Sequence, residues 1–329
     1  MKAVVYKNEA FILEDVAVPI PDENQIQVKI VASGFNPVDY QMTENRSEKK
    51  HLHSPILGRE FSGIVTALGK KANYFKVGDA VFCGSGSMGS NGTYAEYICV
   101  PEEIVVHLPN NISFEEAAGM PSAGLTALQS LNRMQASKTD SVLITGAAGG
   151  VGNLLVKSLI ANGYHNFIVT AGNDRSIASL IEIGVQPNQI VNYKTDKIEE
   201  TILYLNGNQK FDIVIDLVGN TMAEIAAKLL RTNGIYVDVT ALSTQHSREI
   251  LFGKGATIMN ISNYAYGLDK KYDYYKNGLE QLKNLLEKKA IKPPLISIIG
   301  PLEVETVLKA HQMLRENKTE GRKLIMKIS

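Results

Sequence analysis

Apolar positions along this 329-residue chain follow one period, switch to another, and then return to the first. From residue 1 to about 112 they come in short alternating or apolar runs: Lys2–Tyr6, Ile26–Ala32, Gly63–Leu68, Ala80–Cys83 and Tyr94–Val100. Pro, Gly, Asn and Asp separate these runs, and that punctuation predicts strands. Tyr40 to Pro55, polar and charged, reads as a surface loop in which His51 and His53 are solvated, since no cysteine or third histidine stands beside them to complete a metal site. Ser113-Phe-Glu-Glu116 is a capping box that starts a helix at Phe114, Pro121 interrupts it, and a second helix is expected over Ser122–Met134.

Beyond that point strands and helices alternate. Strands are expected at Val142–Thr145, Phe167–Ala171, Ile190–Asn192, Ile213–Leu217, Ile235–Val239 and Ala256–Ile261, with helices at 151–162, 174–183, 196–205 and 221–231 between them. This rhythm predicts an α/β unit with a doubly wound parallel sheet. Leucines 279, 282, 285 and 286 then mark an amphipathic helix over 272–289, and a last strand–helix–strand ends at Lys323–Ile328. It has no glycine loop and is assigned to the first domain. The expected division is 1–122 plus 264–329 for the β-rich domain and 123–263 for the inserted α/β domain.

Val142–Gly152 reads VLITGAAGGVG, which puts Ala147, Gly149 and Gly152 at the spacing of the G-x-G-x-x-G fingerprint with alanine first. Gly149 would let backbone approach a pyrophosphate, and Gly152 would let the helix lie close to the strand. A helix starting there aims its unpaired N–H groups at the phosphates. A plain tight turn is the alternative for such a triplet; a strand before it and a helix after it favour a dinucleotide site.

Composition narrows the picture further. Hydrophobic residues make up 44% and charged residues 21%, an ordinary globular balance. Lys+Arg and Asp+Glu both number 34, so neutral net charge gives no reason to expect nucleic acid or an anionic membrane as partner. Cys83 and Cys99 are too few for a disulfide framework or a four-cysteine zinc lobe and read as small apolar residues. No stretch approaches the roughly 20 apolar residues of a membrane span, and the opening MKAVVYKNEAFILEDV reads as strand and turn, so a cytoplasmic protein is expected.

Several segments in order resemble the medium-chain dehydrogenase/reductase superfamily, and within it the zinc-free quinone oxidoreductase (zeta-crystallin-like) branch. They are Gly34-Phe-Asn-Pro-Val-Asp-Tyr40, Gly58-Arg-Glu-Phe-Ser-Gly63 with Gly69, Val77-Gly-Asp79, Gly92-Thr-Tyr-Ala-Glu-Tyr97, Ala123-Gly-Leu-Thr-Ala127, Ala147–Gly152 and Val191-Asn-Tyr193. The resemblance covers essentially the whole chain. It implies a GroES-like β-rich catalytic domain interrupted by a Rossmann domain, and a homodimer paired through the sixth strand. Zinc-dependent members have cysteine where this chain has Asn36 and histidine where it has Arg59. Neither residue suits Zn²⁺, which prefers thiolate and imidazole, so no zinc is expected. Without that Lewis acid, alcohol oxidation gives way to hydride delivery onto an electrophilic carbon of a quinone, enone or enal.

The resemblance places Asn36 beside the nicotinamide, where it could donate to the substrate carbonyl or orient the cofactor; the plain alternative is a turn asparagine before Pro37. Tyr40 could donate a proton or hydrogen bond near the enolate, or be a rim residue. Thr126 matches a family threonine at the nicotinamide end, and Gly219, after Asp216, lies where the crevice of an open α/β sheet binds ligand. Ala147, Gly149, Gly150, Val151 and Gly152 form the phosphate loop. Arg59 is read as an ion-pair partner of Glu60 or another carboxylate. Tyr264 and Tyr266 would line the pocket or a dimer edge.

No acid ends the second nucleotide-domain strand, Thr170-Ala171-Gly172-Asn173, so NADPH is favoured over NADH. Arg175 and Tyr193 would contact the 2′-phosphate; the alternative has Asp174 capping the next helix and Arg175 solvated. The expected function is zinc-independent, NADPH-dependent reduction of a small quinone or enone. An enoyl-thioester (acyl-CoA) reductase and a non-catalytic NADPH-binding protein are the alternatives. Segments 40–55, 85–92 and 241–250 are expected to be loops that shape the pocket.

Overall fold

A computed structural model describes residues 1–44, 49–50, 52–194 and 197–329, so His51 lies outside the described residues. The chain divides into two units, Met1–Leu125 with Asn263–Ser329, and Thr126–Ser262.

The first unit is β-rich. Strands β1 (Lys2–Lys7) and β2 (Ala10–Asp15) form a hairpin, and β3 (Gln25–Gly34), β4 (Phe61–Leu68), β5 (Ala80–Cys83), β6 (Tyr97–Pro101) and β7 (Val105–His107) follow. The second unit contributes β8 (Val142–Ile144), β9 (Phe167–Ala171), β10 (Ile190–Asn192), β11 (Phe211–Asp216), β12 (Leu230–Asp238) and β13 (Thr257–Asn260). The chain then returns to the first unit with β14 (Ile296–Gly300) and β15 (Lys323–Lys327).

In the first unit the sheet order is β14-β15-β3-β4-β5-β7, with β6 also paired to β3. The C-terminal β15 lies antiparallel to β3, Ile325 opposite Gly34. One end of the chain is thereby fixed beside the segment that carries Asn36. Alternation along β3 buries Ile26, Val28, Ile30 and Ala32 on one face. A separate core gathers Val4, Phe35, Tyr94, Val307 and Met326. Within it the Tyr94 hydroxyl and His311 Nε2 form a hydrogen bond of 3.1 Å, and the rings of Phe11 and Phe35 meet His311 edge-on.

The second unit is a parallel sheet in the order β10-β9-β8-β11-β12-β13. Its central strands are buried on both faces, which is why they read as unbroken Val/Ile/Leu runs. Strand order reverses between β8 and β11, and the crevice of such a sheet opens beyond the carboxyl ends of those strands.

Two segments expected as loops hold helices. Pro37–Glu44 is helical, with Pro37 in its first turn and the Asp39 carboxylate accepting from the Asn36 N–H at 2.8 Å. Gln245–Gly253 is helical as well, capped by Thr244, whose hydroxyl accepts from Ser247 N. Few apolar positions mark either helix, because only Asp39 and Met42, and Ser247 and Leu251, are buried on them. Among the described residues no helix is long and apolar enough to cross a membrane.

Candidate functional site

The loop after β8 is knit to its neighbours at each step. Thr145 Oγ1 donates to Asp216 Oδ1 at 2.7 Å, Gly146 N donates to Thr170 Oγ1 and Ala147 N to the Thr170 carbonyl. The left-handed turn is made by Gly146 at φ +63°, one residue before the fingerprint's alanine. Ala147 is instead buried beneath the helix Gly150–Ala161, where a Cβ on Gly152 would meet Ala147 Cα at 2.6 Å. Gly152 is therefore required by helix–loop packing, as the fingerprint implies. Gly149, the exposed N-cap, is different: its φ is −69°, and an added Cβ would meet only the Gly146 carbonyl at 3.3 Å. Packing within the chain gives little reason for glycine there, whereas a ligand approaching the backbone would. Gly150 and Val151 follow as the first helical residues.

At the end of β11, Asp216 is fully buried and accepts from Thr145 Oγ1, Val218 N, Gly219 N and the Tyr236 hydroxyl. Burial and Asp216 push the Tyr236 phenol well up, so it stays a donor. Gly219 adopts φ +77°, and a Cβ there would strike Leu242 at 2.4 Å. Asp216 thus fixes the turn at Gly219 beside the loop after β8.

Past β9, Asn173, not Asp174, caps the next helix, its Oδ1 accepting from Ser176 N at 2.9 Å. Asp174 and Arg175 are exposed at its first turn. The Tyr193 hydroxyl lies over Gly172, where any Cβ would come within 2.2 Å of it. Tyr193 and Arg175 therefore flank the end of β9. Thr126 is half-buried in the helix Pro121–Arg133.

In the first unit, Asn36 is held on both sides of its amide. Nδ2 donates to Glu60 Oε1 at 2.7 Å, and Oδ1 accepts from Lys323 Nζ at 2.6 Å. Glu60 takes Lys323 as its ion-pair partner at 2.7 Å, while Arg59 donates to Met42 Sδ at 3.3 Å. Tyr40, one turn further along the helix, packs its ring 6.5 Å from His311 and 5.3 Å beneath the Arg315 guanidinium, which pairs with Glu44. Tyr266 is committed to a stack on Tyr274, centroids 3.8 Å apart. His53 is exposed, and both cysteines are buried thiols whose pKa burial raises. Glu60 and Asp39 lie within the segments Gly58–Gly63 and Gly34–Tyr40 that carry the resemblance, though neither is singled out there, whereas Lys323 belongs to no motif and its one sequence signal is a charge opening a segment otherwise bound for the core.

The Asp39 carboxyl is pushed up to about 6 by burial, against the pull of the Asn36 N–H and the Arg59 guanidinium. Among the described residues its Oδ1 is buried without a hydrogen-bond partner, which also favours the protonated form. Burial, reinforced by Arg315, brings His311 down to about 4.

The comparisons with known proteins agree with this architecture. Residues 22–110 match the alcohol dehydrogenase GroES-like domain family and residues 187–325 the zinc-binding dehydrogenase family. Human quinone oxidoreductase is 32% identical over 235 residues, 70% of this chain and 68% of that protein. An Arabidopsis thaliana chloroplastic NADPH-dependent alkenal/one oxidoreductase is 26% identical, covering 100% of this chain and 80% of its own. The crystal structure of Escherichia coli quinone oxidoreductase complexed with NADPH superposes with a TM-score of 0.85 at 26% identity, covering 99% of this chain and 100% of that one. The chain belongs to the quinone oxidoreductase-like branch of the medium-chain dehydrogenase/reductase superfamily. It is an oxidoreductase of the quinone and enone reductase type.

Two outcomes follow from this geometry. Gly152→Ala forces the helix off Ala147 and weakens nicotinamide dinucleotide binding by about tenfold or more in a fluorescence titration; an unchanged Kd would contradict the packing argument. Asp39 binds its proton more tightly folded (about 6) than unfolded (3.8), so its contribution to stability is full at low pH and lost as pH rises through about 6. Asp39→Asn therefore stabilises the fold over wild type at pH 7, by up to ~3 kcal/mol in urea unfolding, and the gain vanishes near pH 4. His311 has the opposite slope across the same window, so the difference between variant and wild type is the quantity to read.

Proposed function

We propose that this protein is a zinc-independent, NADPH-dependent reductase of quinones or small α,β-unsaturated carbonyls. The observation that carries the reading is the hold on Asn36. This residue stands where zinc-dependent relatives have a cysteine ligand, and here its amide oxygen already faces an ammonium, Lys323 Nζ at 2.6 Å. The neighbouring Arg59, and an amide whose oxygen is already taken by Lys323, are poor partners for Zn²⁺. The donor set does not fit zinc.

The residues do fit a dinucleotide. The N-terminus of the helix Gly150–Ala161, the open approach at Gly149 and the turn at Gly219 would hold the pyrophosphate and nicotinamide halves, with Thr126 near the latter. Arg175 and Tyr193 would take a 2′-phosphate, and no carboxylate ends β9 to compete with it. The NADPH held by the similar E. coli enzyme supports the same choice. When bound, NADPH supplies a hydride to the electrophilic carbon of the substrate. Asn36 would donate to the substrate oxygen as negative charge develops on it, and Tyr40 or solvent would return the proton. The free edge strand β13, with Ile258 and the nearby Phe252 exposed, is the surface through which a second copy of the chain would pair.

The test is NADPH and NADH consumption by chelator-treated protein with 1,4-benzoquinone, 9,10-phenanthrenequinone, a 2-alkenal and crotonyl-CoA. The expected result is NADPH-preferring turnover, unaffected by chelation, with a quinone or the alkenal. Crotonyl-CoA as best substrate would move the assignment to thioester reduction, and tight NADPH binding without turnover to a non-catalytic role. Activity lost on chelation and restored by Zn²⁺ would overturn it.

A further inference from the structure

Every polar valence around the Lys323 ammonium is accounted for. Its nitrogen lies 3.1 Å from the Phe35 carbonyl, 2.6 Å from Asn36 Oδ1 and 2.7 Å from Glu60 Oε1, three acceptors for three N–H bonds. Glu60 Oε1 also accepts from Asn36 Nδ2, and Oε2 accepts from Ser122 N at 2.8 Å. Glu60 is fully buried and Lys323 nearly so, at 6% exposure. Two glycines make the room: a Cβ on Gly34 would lie 2.6 Å from Glu60 Oε1, and one on Gly119 would lie 2.8 Å from Lys323 Cγ.

An ammonium can only donate and an ionised carboxylate can only accept. The two orientations of the Asn36 amide are therefore not equivalent. Oxygen towards Lys323 and nitrogen towards Glu60 gives two charge-assisted hydrogen bonds, whereas the flipped amide opposes donor to donor and acceptor to acceptor. With Oδ1 bound to the ammonium and one N–H bound to the carboxylate, what Asn36 still offers a ligand is its second N–H. A buried ion pair is a weak source of stability, since apolar replacements often match it. Its effect on the orientation of a neighbour is a different matter.

Resting on the quinone and enone reductase reading, we propose that Lys323 and Glu60 are positioning residues that lock the Asn36 amide, so that it meets the ligand only as a hydrogen-bond donor. The lock sets the class of ligand atom that Asn36 accepts: a carbonyl or developing oxyanion oxygen, not a hydroxyl or amine hydrogen. Because Glu60 neutralises Lys323, what the lock supplies is the fixed direction of the donor and not a net charge. A site made this way binds a carbonyl ligand in preference to an alcohol that must donate its own hydrogen.

The experiment compares wild type, Asn36→Ala, Lys323→Met and the double variant by two readouts. The first is kcat and KM for NADPH-dependent reduction of a 2-alkenal. Asn36→Ala is expected to lower kcat/KM by about 100-fold, mostly in kcat, and Lys323→Met by about tenfold. In the Asn36→Ala background Lys323→Met should cost less than about twofold, because a residue acting through Asn36 has nothing left to act on. The second readout needs no turnover: solvent exchange of the Asn36 side-chain amide in ¹H–¹⁵N spectra, assigned by its loss in Asn36→Ala. Exchange should be slow in wild type and at least about tenfold faster in Lys323→Met as the lock opens. Equal fold-losses from Lys323→Met in both backgrounds, or unchanged exchange, would overturn the proposal. Should Lys323→Met not fold, Lys323→Gln, whose amide can donate or accept, carries the same comparison. Absence of turnover in wild type would contradict the reductase reading, while the exchange rates would still decide the lock.

Discussion

The buried pair of Lys323 and Glu60 is the contact on which the first unit most depends. It ties β15, near the end of the chain, to the start of β4 and, through Phe35 and Asn36, to the segment after β3. Burying two charges is costly, and the cost is offset because each remaining valence has a partner: a backbone carbonyl and an amide oxygen for the ammonium, an amide and the Ser122 N–H for the carboxylate. Loss of one partner alone would leave an uncompensated charge, typically a penalty of about 3–5 kcal/mol. Gly34 and Gly119 follow from this packing, since either side chain would enter the space that the pair fills.

The second unit solves a comparable problem with a single carboxylate. Asp216 gathers two turns, the one after β8 through Thr145 and its own through Val218 and Gly219. Both turns sit at the strand reversal, so one side chain sets the loop that would face phosphates and the loop that would face the nicotinamide. A stiff, fully hydrogen-bonded support of this kind holds both turns in place, with Gly219 buried and Gly149 left exposed.

Much of this was legible in the sequence. The strands of the parallel sheet are buried on both faces and therefore read as uninterrupted β-branched runs, and the glycine loop announces its helix. What escaped detection was short, polar or distant. Strand β2 is mostly exposed and shows no alternation, while the helices Pro37–Glu44 and Gln245–Gly253 bury only two residues each. The turn glycine is Gly146, not the fingerprint's first position, because sequence spacing records a motif but not which residue carries the positive φ. The hold on Asn36 was beyond local reading altogether: Lys323 is 287 positions away, and a lone lysine opening an apolar strand looks like a solvated end. Sequence proximity offers Arg59 to Glu60 or another carboxylate; the sheet brings β15 against β3 and delivers Lys323 to Glu60, while the Arg59 guanidinium acts on the Asp39 carboxyl.

The most direct test of the central claim follows the hydride itself. Protein shown by elemental analysis to carry less than about 0.05 zinc per chain would be incubated with NADPH deuterated at nicotinamide C4 and a 2-alkenal, and the product examined by mass spectrometry and NMR. Transfer from nicotinamide to an electrophilic carbon, with Asn36 donating to the oxygen, predicts one deuterium at the β-carbon and a solvent hydrogen at the α-carbon. Deuterium at the carbonyl carbon, giving an allylic alcohol, or label transfer only in zinc-loaded protein, would contradict it.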